Sequence, residues 1–191
     1  MEEIKAPKIE AGHFHGGACP ECEHIAGARI LKASLVGLII GLAIGIFIML
    51  PSEARAAELT GRNILQATNA DRATLSLPAL KPDPLLVKAA QIKADNMAKL
   101  NYFSHCRTAS ECPKGAKFFA DVIAALSKKI IFHVMGENLA TGFDTSEDTE
   151  AAFKDSPEHW RNITDQNFNS IGVGISHAGS ATYVAVEFGR K

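Results

Sequence analysis

This chain has almost no net charge: 20 Lys and Arg stand against 21 Asp and Glu, a formal net charge of −1 over 191 residues. With no dense Lys/Arg block either, there is no electrostatic footprint for nucleic acid. Cysteine is sparse, four in all, which is too few for a miniprotein held together by disulfides. No collagen-like repeat or coiled-coil pattern runs through it, and a hydrophobic content of 47% excludes a disordered chain. No serine or cysteine sits in a recognisable nucleophile elbow or catalytic dyad motif. The length allows one globular domain and something smaller.

The smaller part begins with an apolar run. Residues 33–50 read ASLVGLIIGLAIGIFIML, without a charge and with Ser34 the one polar residue. As a helix this run is about 27 Å long, close to the hydrocarbon thickness of a bilayer. A buried core helix would show a polar face, so the run is expected to be a membrane helix or a secretion signal. Ala54-Arg55-Ala56 followed by Ala57 resembles a signal-peptidase site. The polar segment before the run and the length of the run favour an uncleaved signal anchor. Arg29 and Lys32 before it nearly balance Arg55 and Arg62 after it, so charge does not set orientation. Gly37, Gly41 and Gly45 share one helical face, the spacing of close helix pairing and hence of a homodimer; glycine is also simply common in membrane helices.

Residues 1–32 have no apolar pattern of a core but carry His13, His15, Cys19, Cys22 and His24. A CxxC pair puts two thiols on one tight turn, which suits zinc or dithiol redox chemistry. Cys19, Cys22, His15 and His24 are therefore a second candidate metal site; the bland reading is a tail with unused thiols.

After a linker at 51–58, the spacing predicts a helix over about 59–74 and another starting at Asp83-Pro84. In the second, Lys88, Gln91, Asp95 and Lys99 form a polar stripe against Leu85, Leu86, Ala89, Ala90, Met97 and Leu100. Lys93 interrupts the apolar side and is expected to snorkel. A third helical stripe runs from Phe118 to Leu126, and residues 130–135 read as a strand ending at Gly136-Glu137-Asn138. A short helix is expected over 146–154, a restart at Ser156-Pro157, and a final hairpin turning at residues 177–180. Helices first and strands late predict an α+β, three-layer domain over 59–191.

His105 in a loop, Glu137 after a strand and His159 in the first turn of a helix make a minimal set for a divalent metal or for acid–base work. Individually, each also reads as an ordinary solvated or capping residue. The strings Leu100-Asn-Tyr-Phe-Ser-His105, Gly136-Glu137-Asn138-Leu-Ala-Thr-Gly142, Ser156-Pro-Glu-His159, Ile171-Gly-Val-Gly174 and Phe188-Gly189 occur in that order. Together they resemble the bacterial branch of the CAP superfamily, the SCP-like proteins named for cysteine-rich secretory proteins, antigen 5 and pathogenesis-related 1 proteins. The resemblance implies an α-β-α sandwich, an extracytoplasmic location, and His105, Glu137 and His159 as cleft residues able to hold zinc or another divalent ion. Two positions depart from the pattern. Phe153 stands where relatives carry tryptophan, and the second cleft glutamate of the eukaryotic members would fall near Ser156.

Cys106 and Cys112 flank a short polar loop, Arg107 to Glu111, and are expected to form a disulfide on the outer face. The expected protein is a single-pass membrane protein with its N-terminus cytoplasmic and its domain outside. It is read as a binding module for a lipid, cell-wall or protein ligand. The alternatives are a metal-dependent, peptidase-like hydrolase of envelope material, with Glu137 as base and His105 and His159 on the metal, and a structural envelope protein.

Overall fold

The computed structural model describes residues 10–11, 57–106, 117–127 and 132–191. The apolar run, the CxxC cluster with its histidines, Gly37, Gly41, Gly45 and Cys112 lie outside the described residues. Among the described residues no helix is long and apolar enough to cross a membrane.

The helices begin where their caps require. Thr60 accepts from the Asn63 N–H at 3.2 Å and opens α1, Gly61–Thr74. Asp83 accepts from the Leu85 and Leu86 N–H groups and Pro84 takes the first position of α2, Pro84–Leu100. Asn101, at φ 51°, ends α2 in the left-handed conformation. The remaining helices are α3, Lys117–Leu126; α4, Ser146–Asp155; and α5, Pro157–Thr164.

The strands are β1, Glu10–Ala11; β2, Lys81–Pro82; β3, Val134–Thr141; β4, Ser170–Ala178; and β5, Ala181–Arg190. They form one sheet in the order β1-β3-β5-β4-β2, with β3, β5 and β4 antiparallel and the two short outer strands parallel to their neighbours. The chain is thus a mixed α+β domain.

Alternation along the strands divides the residues between two faces. Ala140, Ile171, Val184, Val186 and Phe188 pack with Ile64 of α1, Phe153 of α4 and Ile163 of α5. Met135, Leu139, Tyr183 and Ala185 face the other way, onto α2 and α3. On that second face α2 lies directly on β4: a Cβ built on Gly172 would meet Leu86 backbone at 2.0 Å, and one on Gly174 would meet Ala90 backbone at 2.2 Å. The two glycines are the condition for this approach.

Three sequence expectations are corrected here. Gly136-Glu137-Asn138 does not end a strand but lies inside β3, paired residue by residue with β5. Gly136 suits that place because a Cβ there would meet Phe168 at 2.8 Å. Lys93 does not snorkel to solvent; it is 1% exposed. Leu100, expected on the buried side, is 52% exposed, because the helix ends there at Asn101.

Candidate functional site

The α2 face of the sheet carries an unusual polar centre. Glu137 of β3 stands directly opposite Glu187 of β5, and Glu187 stands opposite Gly172 of β4, so both carboxylates point under α2. Lys93 meets them from above, its Nζ donating to the carbonyls of Ser104 (2.7 Å) and His105 (3.0 Å) in the loop after α2. That loop returns His105 to the same spot, where its Nδ1 meets Glu137 Oε1 at 2.6 Å. Glu137, Glu187 and Lys93 are 3%, 1% and 1% exposed. Only the His105 side chain reaches the rim, at 10%.

The electrostatics follow from this burial. Loss of water pushes both acids up, but for Glu137 the Lys93 charge and the His105 bond outweigh it, holding that carboxyl below the usual range. Glu187 has burial and the neighbouring Glu137 charge against it and is pushed well above the usual range. Among the described residues, Glu137 Oε2 and both Glu187 oxygens find no hydrogen-bond partner.

His159 lies elsewhere. Asn138, next to Glu137 on β3, points to the opposite face, where its amide donates to the His159 carbonyl at 3.0 Å. Asn162 of the same helix donates to Asn138 Oδ1 (2.8 Å) and to the Glu137 carbonyl (3.2 Å). The His159 ring packs on Phe153, centroids 5.3 Å apart, and its Nδ1 meets Ser156 Oγ at 2.8 Å. Glu150 and Glu158, near the place of the missing family glutamate, are also engaged locally: Glu150 Oε2 accepts from Thr68 Oγ1 at 3.1 Å, and Glu158 pairs with Arg161.

The structure therefore brings His105 and Glu137 together and keeps His159 behind the sheet. Among the described residues no group of three or more His, Cys, Asp and Glu is placed to hold a metal ion. A three-donor tetrahedral site does not fit this arrangement. Cys106 is 7% exposed, and its N–H donates to Ser104 Oγ. The sequence reading missed Lys93 and Glu187 as partners of the centre. The signal was available: each is a charge at an inward position, one on the apolar stripe of α2, the other among the apolar residues of β5.

An open groove formed by described residues lies apart from this centre. It holds about 340 Å³ and is lined by Gly61, Arg62 and Leu65 of α1, Pro82, Val87, Ile171 and Val173. Apart from Arg62 its lining side chains are apolar.

The sequence profile described as CAP, the cysteine-rich secretory protein family, matches residues 65–188. The uncharacterized protein YkwD of Bacillus subtilis is 34% identical over 130 residues, which cover 68% of this chain and 46% of that protein. An extracellular protein containing a SCP domain from Bacillus anthracis aligns structurally with a TM-score of 0.57 at 26% identity, covering 69% of this chain and 40% of that one. An outer surface protein from Borrelia burgdorferi aligns at 0.58 and 18% identity, over 71% of this chain and 98% of that one, which is a likeness of fold. The chain thus spans less than half the length of either Bacillus relative.

Proposed function

This chain belongs to the CAP family of cysteine-rich secretory proteins, and on that premise we propose that it is a membrane-anchored, extracytoplasmic binding module whose ligand is an anionic amphiphile. One contrast carries the reading: among the described residues the titratable centre is covered, while the groove beside α1 is open and apolar. A hydrolase needs an acid or base within reach of the scissile bond, and Glu137 and His159 are each 3% exposed. A binding module needs an accessible surface, and the groove between α1, β2 and the start of α2 supplies one.

Arg62 at the groove offers a charge for an anionic head group, and Val87, at 41% exposed, offers apolar surface to a chain. The groove also lies at the start of α1. About ten residues separate the apolar run from Gly61, a reach of at most about 35 Å, so a chain anchored by residues 33–50 keeps this groove beside the bilayer. The outer location also supports the Cys106–Cys112 disulfide, worth about 2 kcal/mol for so small a ring.

The test is photo-cross-linking in native membranes with a photoactivatable fatty acid. Adducts are expected on peptides carrying Leu65, Val87 or Val173, and the yield there should fall several-fold in Arg62→Glu. Adducts confined to residues 33–50 would overturn the ligand class.

A further inference from the structure

We propose that the ligand of the groove carries an amide between its apolar chain and its acid group, as an N-acyl amino acid does, and that the backbone N–H and C=O of Val173 recognise this amide. The inference rests on the binding reading above and narrows its ligand class.

Backbone groups along a strand turn alternately to its two edges. Ile171 faces the outer edge of β4, where its carbonyl accepts from the Asp83 N–H at 2.9 Å. Ile175 faces the same edge, where the Gln91 side chain donates to its carbonyl at 2.8 Å and accepts from its N–H at 3.3 Å. Val173 lies midway between them, so its N–H and C=O face that edge too. Strand β2 does not reach it. Pro82, the last residue of β2, stands opposite Ile171, and the Asp83 carbonyl is taken by the Val87 N–H at 2.9 Å as α2 begins. Neither backbone group of Val173 has a hydrogen-bond partner among the described residues.

The start of α1 leaves this place open. A Cβ on Gly61 would stand 3.5 Å from the Val173 carbonyl oxygen and 3.4 Å from Val173 Cβ, ordinary contacts that would cover the carbonyl without forcing the packing apart. Gly61, Arg62 and Val173 line the same groove. Gln91 shows what complements this edge of β4: an amide, with one donor and one acceptor on one plane. A fatty acid has no such group at the depth of its chain, so it would strip water from Val173 and put nothing in its place. An N-acyl amino acid replaces that water. Its amide C=O accepts from the Val173 N–H and its amide N–H donates to the Val173 C=O. Its chain then covers Leu65 and Val87, and its carboxylate answers the Arg62 charge.

The experiment compares three probes of equal chain length: N-octanoylglycine, N-octanoylsarcosine, whose amide lacks the N–H, and undecanoate, which has no amide. Each is titrated by NMR into the 191-residue chain, valine-labelled and held in phosphatidylcholine nanodiscs, with partition into empty nanodiscs subtracted. N-octanoylglycine is expected to bind about fivefold more tightly than N-octanoylsarcosine, the worth of one hydrogen bond, and more tightly than undecanoate. It should also slow hydrogen exchange at the Val173 amide, which undecanoate should leave unchanged. Val173→Pro removes the donor at a strand edge, where proline is tolerated, and should abolish the advantage of N-octanoylglycine over undecanoate. If that variant does not fold, the three probes on the unmodified chain decide. On apolar surface alone undecanoate is the best ligand, since two methylenes replace the amide. Undecanoate binding most tightly, with the Val173 amide unaffected, would therefore overturn the amide while leaving the amphiphile reading in place. No shift of the Val87 or Val173 methyl signals with any probe would overturn both.

Discussion

Glu150 shows what a buried acid does without a facing carboxylate. It sits in α4 at 5% exposure, with Thr68 on one oxygen and nothing among the described residues on the other. Burial pushes its carboxyl up to about 7, with Asp71 adding to the shift and Thr68 and Lys154 opposing it. The sign for stability follows from proton counting. Between the ordinary carboxyl value and about 7 the native chain keeps a proton that the unfolded chain has lost, so stability falls as pH rises through that window. The loss attributable to Glu150 is about 3 kcal/mol by pH 8, at roughly 1.4 kcal/mol per pKa unit. Glu150→Gln keeps a partner for Thr68 and removes the titration. Its denaturation midpoint should therefore exceed that of the parent at pH 8 and approach it at pH 4.5. An equal difference at both values would show that the acid does not titrate in this window.

At the scale of elements, α2 on β4 is the contact that positions the centre, since it brings Lys93 down onto the carboxylates. Gly174→Ala would drive a Cβ into the Ala90 and Gln91 backbone at 2.2 to 2.3 Å, where no side chain can yield. A loss of about 3 kcal/mol or more is expected. Gly179→Ala, in the β4–β5 turn at φ +59° with open space around it, should cost only about 1 kcal/mol. Equal midpoint shifts in chemical denaturation would refute the close approach. The same contrast marks what was legible in the sequence. Asp83-Pro84 and Ser156-Pro157 announced helix starts because the signal is local: Asp83 caps α2 as expected, whereas α5 starts at Pro157 without a capping bond from the Ser156 side chain, whose hydroxyl meets His159 instead. The hairpin was legible because Ile171, Val173 and Ile175 alternate. The middle of β3 was not, since Gly136 reads locally as a break and only pairing with β5 and the space beside Phe168 make it a strand residue. His105–Glu137 was foreseen as part of a trio, but the side of the sheet on which His159 falls depends on strand parity and on Asn138. Neither Lys93 nor Glu187 could be paired from sequence, because their meeting joins residues from α2 and β5 across the fold.

For the whole molecule, one pairing competes with the anchor. Glu10 and Ala11 pair in parallel with Val134 and Met135 at the outer edge of β3, which requires residues 10–11 on the same side as the domain. A bilayer spanned by residues 33–50 would lie between them if the N-terminus is cytoplasmic. Magnitudes decide between these arrangements. A two-residue parallel pairing gains about 1 to 2 kcal/mol at most, and that edge can be solvated without it. Insertion of a run with about eleven Leu, Ile, Val and Phe residues gains roughly 3 to 7 kcal/mol on a per-residue membrane scale. The anchor is expected to win, leaving β1 undocked in the membrane-bound chain. A membrane-impermeant thiol reagent applied to intact cells should then label Ser170→Cys but not Cys19 or Cys22, which become reactive after lysis. Cys106 and Cys112 should resist alkylation on both sides until reductant is added. Labelling of Cys19 and Cys22 from outside together with position 170 would show that β1 stays on the domain and that the run does not span. A mature N-terminus at Ala57 would show instead that the run is a cleaved signal, and that the domain leaves the membrane without it.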